Sequence, residues 1–270
     1  FRGFPVSAVL ARLDGVRKAF PHVTRRSDRI RAMWRLLAGL PPADPAVVLD
    51  GITLEVRRGE SLGIVGENGA GKSTLLKVLT GVLAPTSGQV ELAGSVAALL
   101  ELGAGFHAEF TGRENVEMAG ALMGYRPAEL RAQMDRILAF ADIGRYIDEP
   151  VKHYSSGMVV RLGFALVAAR RPDLLITDEV LAVGDEAFQR KCVRWIEDYL
   201  AGGGTLMLVS HSMYHVQKLC RRALWLQGGR VRAQGEVFEV SQQYSAWQEA
   251  RQAPAAAAAP VATGDGVAQA

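Results

Sequence analysis

The chain has 270 residues, 49% of them apolar and 22% charged, with a formal net charge of +3. That length supports a sizeable core, and no apolar run reaches the ~18–20 residues of a membrane-spanning helix. Cys192 and Cys220 are the only cysteines, too few for a disulfide framework, and a reducing compartment is the simple expectation.

Phe1 to Leu10 lacks a basic start followed by a long apolar stretch, so no cleavable signal is expected here. Arg17, Lys18, Arg25, Arg26, Arg29, Arg31 and Arg35 then crowd together, with Asp28 as the local counter-charge. Such a cluster fits nucleic acid, anionic lipid or a solvated face. SDRIRAMWRLLAGLPP predicts a short helix over about 27–40, capped by Ser27 or Asp28. Ile30, Met33, Trp34, Leu37 and Leu40 share one face and the arginines lie off it. That pattern suits a membrane interface, a partner's flank or a core-covering surface helix.

Residues 47–56 read as a strand with a turn and 61–66 as a short buried strand, followed by a helix from Gly71 to about Leu79. A strand is predicted at 89–93, an apolar stretch at 96–102, and a largely helical block from Thr111 to about Ile147. A helix begins near Ser155 and ends before Pro172. Then come a strand at 173–177, a helix at 185–200, a triple-glycine break, a strand at 205–210, a helix at 212–220 and a hairpin in ALWLQGGRVRAQG. Strands alternating with helices predict an α/β core, with the block after Thr111 as a helical insertion. Residues 251–270 are Ala/Pro-rich, without periodicity, and predict a disordered tail.

Two stretches carry chemistry. GENGAGKS, 66–73, fits G-x-x-x-x-G-K-[ST] between an apolar strand and a helix. Its glycines let successive N–H groups of Asn68, Gly69, Ala70, Gly71 and their neighbours curl around phosphate oxygens. The helix through Thr74 adds its positive end. Lys72 then reaches the β- and γ-phosphates of a nucleotide, and the Ser73 hydroxyl ligates Mg²⁺. In LLITDEVLAVGD, 174–185, adjacent acids end an apolar strand. A cation must offset them: Asp178 holds Mg²⁺ directly or through water, and Glu179 activates the water that attacks the γ-phosphate.

YSSGM, 154–158, upstream of the acidic strand, resembles the signature segment of the ATP-binding subunits of ABC transporters. The resemblance spans about residues 10–240 in the family's order. It implies an α/β P-loop NTPase core with an antiparallel β subdomain and an inserted helical subdomain at about 111–170, within a nucleotide-binding domain over 1–250. It implies ATP and Mg²⁺ as ligands. Ser155, Ser156 and Gly157 then cap the γ-phosphate of an ATP held by a second copy. Asp185 ends the loop that touches the opposite copy, His211 is the switch histidine, and Phe20 stacks on adenine. Where the family usually has a glutamine, the chain reads ALLELGAGFHAEFTGREN, and Glu101 is the candidate substitute as a metal-side oxygen.

YSSGM with DEVLAVGD is similar to the branch that exports lipid-linked polysaccharides such as O-antigen, capsule and teichoic acid. That implies a head-to-tail dimer, a separate membrane permease, a peripheral place on the cytoplasmic face, and no nucleic-acid partner. The extra helix at 27–40 would lie near the channel mouth. The alternatives are another transported substrate or an ABC-type ATPase acting on DNA or ribosomes. The latter is disfavoured because the chain has neither long coiled coils nor paired ATPase domains.

Overall fold

The structure, a computed structural model, describes residues 9–21, 45–99, 103, 105–178, 185–210 and 212–252. The predicted helix at 27–40 and the tail from 253 onward lie outside the described residues. Among those described, no helix is long and apolar enough to cross a membrane.

Strands β1 (Val9–Pro21) and β2 (Pro45–Arg57) pair antiparallel, and β4 (Ser87–Leu92) joins the free edge of β1. Alternation on β2 turns Ile52, Leu54 and Val56 inward while Thr53 and Arg57 face out. A second, six-stranded sheet has the order β5-β6-β7-β3-β8-β9. Its members are β3 (Ser61–Val65), β5 (Val96–Ala98), β6 (Leu174–Asp178), β7 (Thr205–Val209), β8 (Arg222–Gln227) and β9 (Arg230–Glu236). All neighbours pair parallel except β8 with β9. The central strands β3 and β7 are buried throughout, so they read as unbroken apolar runs rather than alternating ones.

Helix α1 (Lys72–Leu79) follows β3 and packs Leu75, Leu76 and Leu79 into the core shared by the two sheets. Between β5 and β6 lie α2 (Gly112–Leu122), α3 (Pro127–Ala141) and α4 (Ser156–Ala169). Val116, Leu130, Ile137, Leu162 and Leu166 form a separate helical core there. Helix α4 belongs to two cores: Phe164 and Val167 pack with α5 (Glu186–Ala201) and the large sheet, while Leu162, Ala165 and Leu166 face the helical layer. Helices α6 (Met213–Leu219) and α7 (Val237–Gln252) complete the element order.

Two elements escape the sequence reading. In β1 the apolar alternation slips at Gly15, which takes φ +55° beside register shifts, and the interleaved charges mask the strand. Helix α7 is mostly polar, but Val237, Val240 and Tyr244 are buried and Trp247 packs beside them. Their 3–4–3 spacing is the helical signal. The helix runs two residues past 250, so the predicted boundary of the tail falls too early.

The loop before α2 is closed by Asn115, which is fully buried. Its Oδ1 accepts the His107 N–H at 2.6 Å, and its Nδ2 donates to the carbonyls of His107, Phe110 and Thr111 at 3.0, 3.1 and 2.9 Å. Thr111 and Glu114 add a capping box at the start of α2.

Candidate functional site

The carboxyl ends of β3 and β6 open on the same side of the parallel sheet, where ligands of α/β folds collect. After β3 the chain turns through Gly66 (φ +155°), Gly69 (φ +79°) and Gly71 (φ +105°) before entering α1. A Cβ at Gly66 would stand 2.2 Å from the Leu226 carbonyl oxygen, and one at Gly71 would stand 2.9 Å from both Leu49 Cδ2 and Val48 O. Glycine at these two places lets the loop lie flat on β8 and β2. The β8–β9 turn braces it: the Gly229 N–H donates to the Ala70 carbonyl at 3.1 Å, and the Gly229 carbonyl accepts from Asp50 N–H at 2.8 Å. The GG pair in LQGGRV was legible as a hairpin, but not as a strut under the loop.

Lys72 is only 6% exposed. Its Nζ donates to the carbonyls of Gly66 and Glu67 at 2.7 and 3.0 Å, so its buried charge sits against backbone dipoles. The next residue, Ser73, donates its hydroxyl to Asp178 Oδ2 at 3.2 Å, across 105 positions of sequence. Asn68, Gly69 and Ser73 are exposed, Thr74 is half-buried and Ala70 is buried. A hydroxyl and a carboxylate in contact make a hard-oxygen pair that fits Mg²⁺, and the glycine cradle fits a phosphate chain.

Other predicted residues stand elsewhere. Phe20, half-buried near the end of β1, pairs with Ala46 and has Lys18 Nζ 5.0 Å from its ring centroid. Ser155 caps α4, accepting the Met158 N–H at 3.2 Å; Ser156 is exposed and Gly157 half-buried. Asp185 caps α5, accepting the Phe188 N–H at 2.9 Å, and pairs with Arg161 of α4. Glu101, Glu179 and His211 lie outside the described residues. Burial pushes the Cys220 thiol up to about 12, so it packs as a neutral side chain.

The Phe188 N–H and then the Arg161 guanidinium hold the Asp185 carboxyl below its ordinary value of 3.8. A carboxyl depressed by folding stabilises fully above its unfolded pKa, and that contribution is lost as pH falls through the folded one. Protection of the Phe188 amide, taken relative to its intrinsic exchange rate, should therefore fall as pH drops beneath 3.8, and Asp185→Ala should remove that dependence. Exchange with the same pH profile in both proteins would refute the cap.

A glycine-curled turn between a buried strand and a helix, with a buried lysine and a serine–carboxylate pair at its foot, defines a P-loop nucleotide-binding fold. Residues 49–182 match the ABC transporter family. The ABC transporter protein AbcA of Aeromonas salmonicida is 50% identical over 242 residues, covering 89% of this chain and 76% of that protein. The O-antigen export system ATP-binding protein RfbB of Myxococcus xanthus is 47% identical over 218 residues, 81% of this chain; the match spans 50% of that protein's length. A dimeric ATP-binding cassette in a post-hydrolysis state, bound to ADP and Pi, superposes with a TM-score of 0.68 at 18% identity, covering 84% of this chain and 99% of that one. The chain belongs to the ABC transporter family.

Proposed function

We propose that this chain binds and hydrolyses ATP as one of two identical subunits that drive export of a lipid-linked, O-antigen-like polysaccharide through a separate membrane permease. The observation that carries the proposal is the Ser73–Asp178 contact at 3.2 Å beside buried Lys72. It brings the phosphate loop and the acidic strand into contact. The Myxococcus xanthus relative, named for O-antigen export, supports the substrate class.

In this reading Lys72 leaves its carbonyls to reach the β- and γ-phosphate oxygens, and the N–H groups of residues 68–74 line the chain of phosphates. Ser73 and Asp178 would hold Mg²⁺, which would supply positive charge to offset that of the phosphates. Glu179 takes a proton from the attacking water as the bond from Pγ to the β-γ bridging oxygen breaks, and His211 contacts the γ-phosphate. Phe20 offers a ring to adenine. Ser155, Ser156 and Gly157, at the exposed start of α4, cap the nucleotide of the second copy, since a serine-led helix start is an anion site. Asp185 lies at the same junction, and Glu101 offers an oxygen beside the metal. The subunit would sit peripherally on the cytoplasmic face against its permease.

The head-to-tail arrangement has a direct test. Cys192 and Cys220 are buried, so new surface thiols can be read against a quiet background. Glu179→Gln carrying both Asn68→Cys and Ser155→Cys is expected to form a disulfide-linked dimer when ATP and Mg²⁺ are present, and to remain monomeric without them. Loss of phosphate release with retained cross-linking is the expected pattern for Glu179→Gln. No cross-link under any nucleotide condition overturns the arrangement.

A further inference from the structure

The phosphate loop has a partner from the far end of the chain. Arg251, in the last turn of α7, donates from Nη1 to Glu67 Oε1 at 2.5 Å. Glu67 is the second residue of the loop, and 184 positions separate the pair. Helix α7 is held firmly: Val237, Val240 and Tyr244 are buried, and Trp225 packs its ring 5.4 Å from Trp247 and 5.6 Å from Tyr244. Arg251 also lies over the Trp247 ring at 5.0 Å, which fixes the approach of its guanidinium. Tyr244, whose hydroxyl is raised chiefly by burial, is raised further by the charge of Glu67, so a second residue of the helix senses that carboxylate.

Two consequences reach the site. The Glu67 backbone carbonyl is one of the pair that hold Lys72 Nζ, so a change in the Glu67 torsions displaces an acceptor of the loop lysine. A carboxylate on a loop that receives phosphates also repels the incoming anion, and a paired guanidinium offsets it. We propose that Arg251 is a positioning residue for nucleotide binding: through Glu67 it screens the phosphate loop and steadies the carbonyl that holds Lys72. The inference rests on ATP occupying that loop. Both side chains are about half exposed, at 59% and 45%, so the tether tunes affinity rather than switching it.

The test is a titration of the 270-residue chain with a fluorescent trinitrophenyl derivative of ATP, in a double-mutant cycle at low and high salt. Arg251→Gln is expected to weaken binding about threefold at low ionic strength, with the difference shrinking as salt screens the pair. Arg251→Lys should restore most of the affinity. On a Glu67→Gln background, Arg251→Gln should change nothing further, since the charge it offsets is gone. Thermal melts separate this from helix damage, which would lower the midpoint equally on both backgrounds. Equal weakening by Arg251→Gln with and without Glu67 overturns the tether. So does unchanged affinity in Arg251→Gln when Lys72→Ala loses the probe. If Lys72→Ala binds the probe normally, the assignment of ATP to the loop fails first and the tether falls with it.

Discussion

Lys72→Ala is expected to lower ATP turnover by about 10²–10³-fold, the loss typical of removing one preorganised donor to developing charge. The side chain is 6% exposed, and its ammonium is held by two carbonyls at the mouth of the loop. Alanine takes away the charge proposed to meet the terminal phosphates and leaves the Gly66 and Glu67 oxygens without their donor. Lys72→Arg is not a rescue, because a planar fork does not fit a space shaped for a point charge. Phosphate release with and without Mg²⁺ checks the rate, and a thermal melt checks that the loop still folds. Turnover within about twofold of wild type, a change too small for a lost phosphate donor, would remove Lys72 from the chemistry.

Asn115→Ala is expected to cost about 3 kcal/mol, the size of leaving buried polar groups unpaired. The Asn115 amide is the common partner of one N–H and three carbonyls in the 107–111 loop. Water does not readily replace it at a fully buried position. For a domain of this size that cost lowers the melting midpoint by roughly 6–12 °C. Asn115→Asp sharpens the test: it keeps an acceptor for His107 but turns a carboxylate toward three carbonyl oxygens, so it should be no better than alanine. An aspartate variant as stable as wild type would show that the donors do not matter. The loop precedes α2, and Phe110 at its end is 41% exposed, so the same substitution should loosen an apolar tip on the helical layer.

The two buried parallel strands, β3 and β7, were legible because burial on both faces leaves a plain apolar run bounded by glycine and polar residues. The helix starts at Thr111, Ser155 and Asp185 were legible for a local reason: each side chain accepts from an N–H three residues on. Residues 66–73 and 178 are local motifs in the same sense, and the fold brings Ser73 to Asp178. What the sequence hid is non-local. The bracing of the loop by Gly229, the contact of Arg251 with Glu67 and the pairing of Asp185 with Arg161 join residues that no periodicity relates. β1 was hidden because its bulged register breaks the period of two, and α7 because its exposed faces outweigh a narrow apolar stripe.

The double membership of α4 has a mechanical consequence. A rod clamped along one flank by the sheet layer and along the other by the helical layer cannot slide against either without breaking packed contacts. At Gly103 a Cβ would stand 2.1 Å from Val159 Cγ1, so the chain leaving β5 presses on the first turn of the same rod. That crossing lies within one turn of the serine start of α4, so a displacement of the chain at Gly103 is expected to be felt first at those serines.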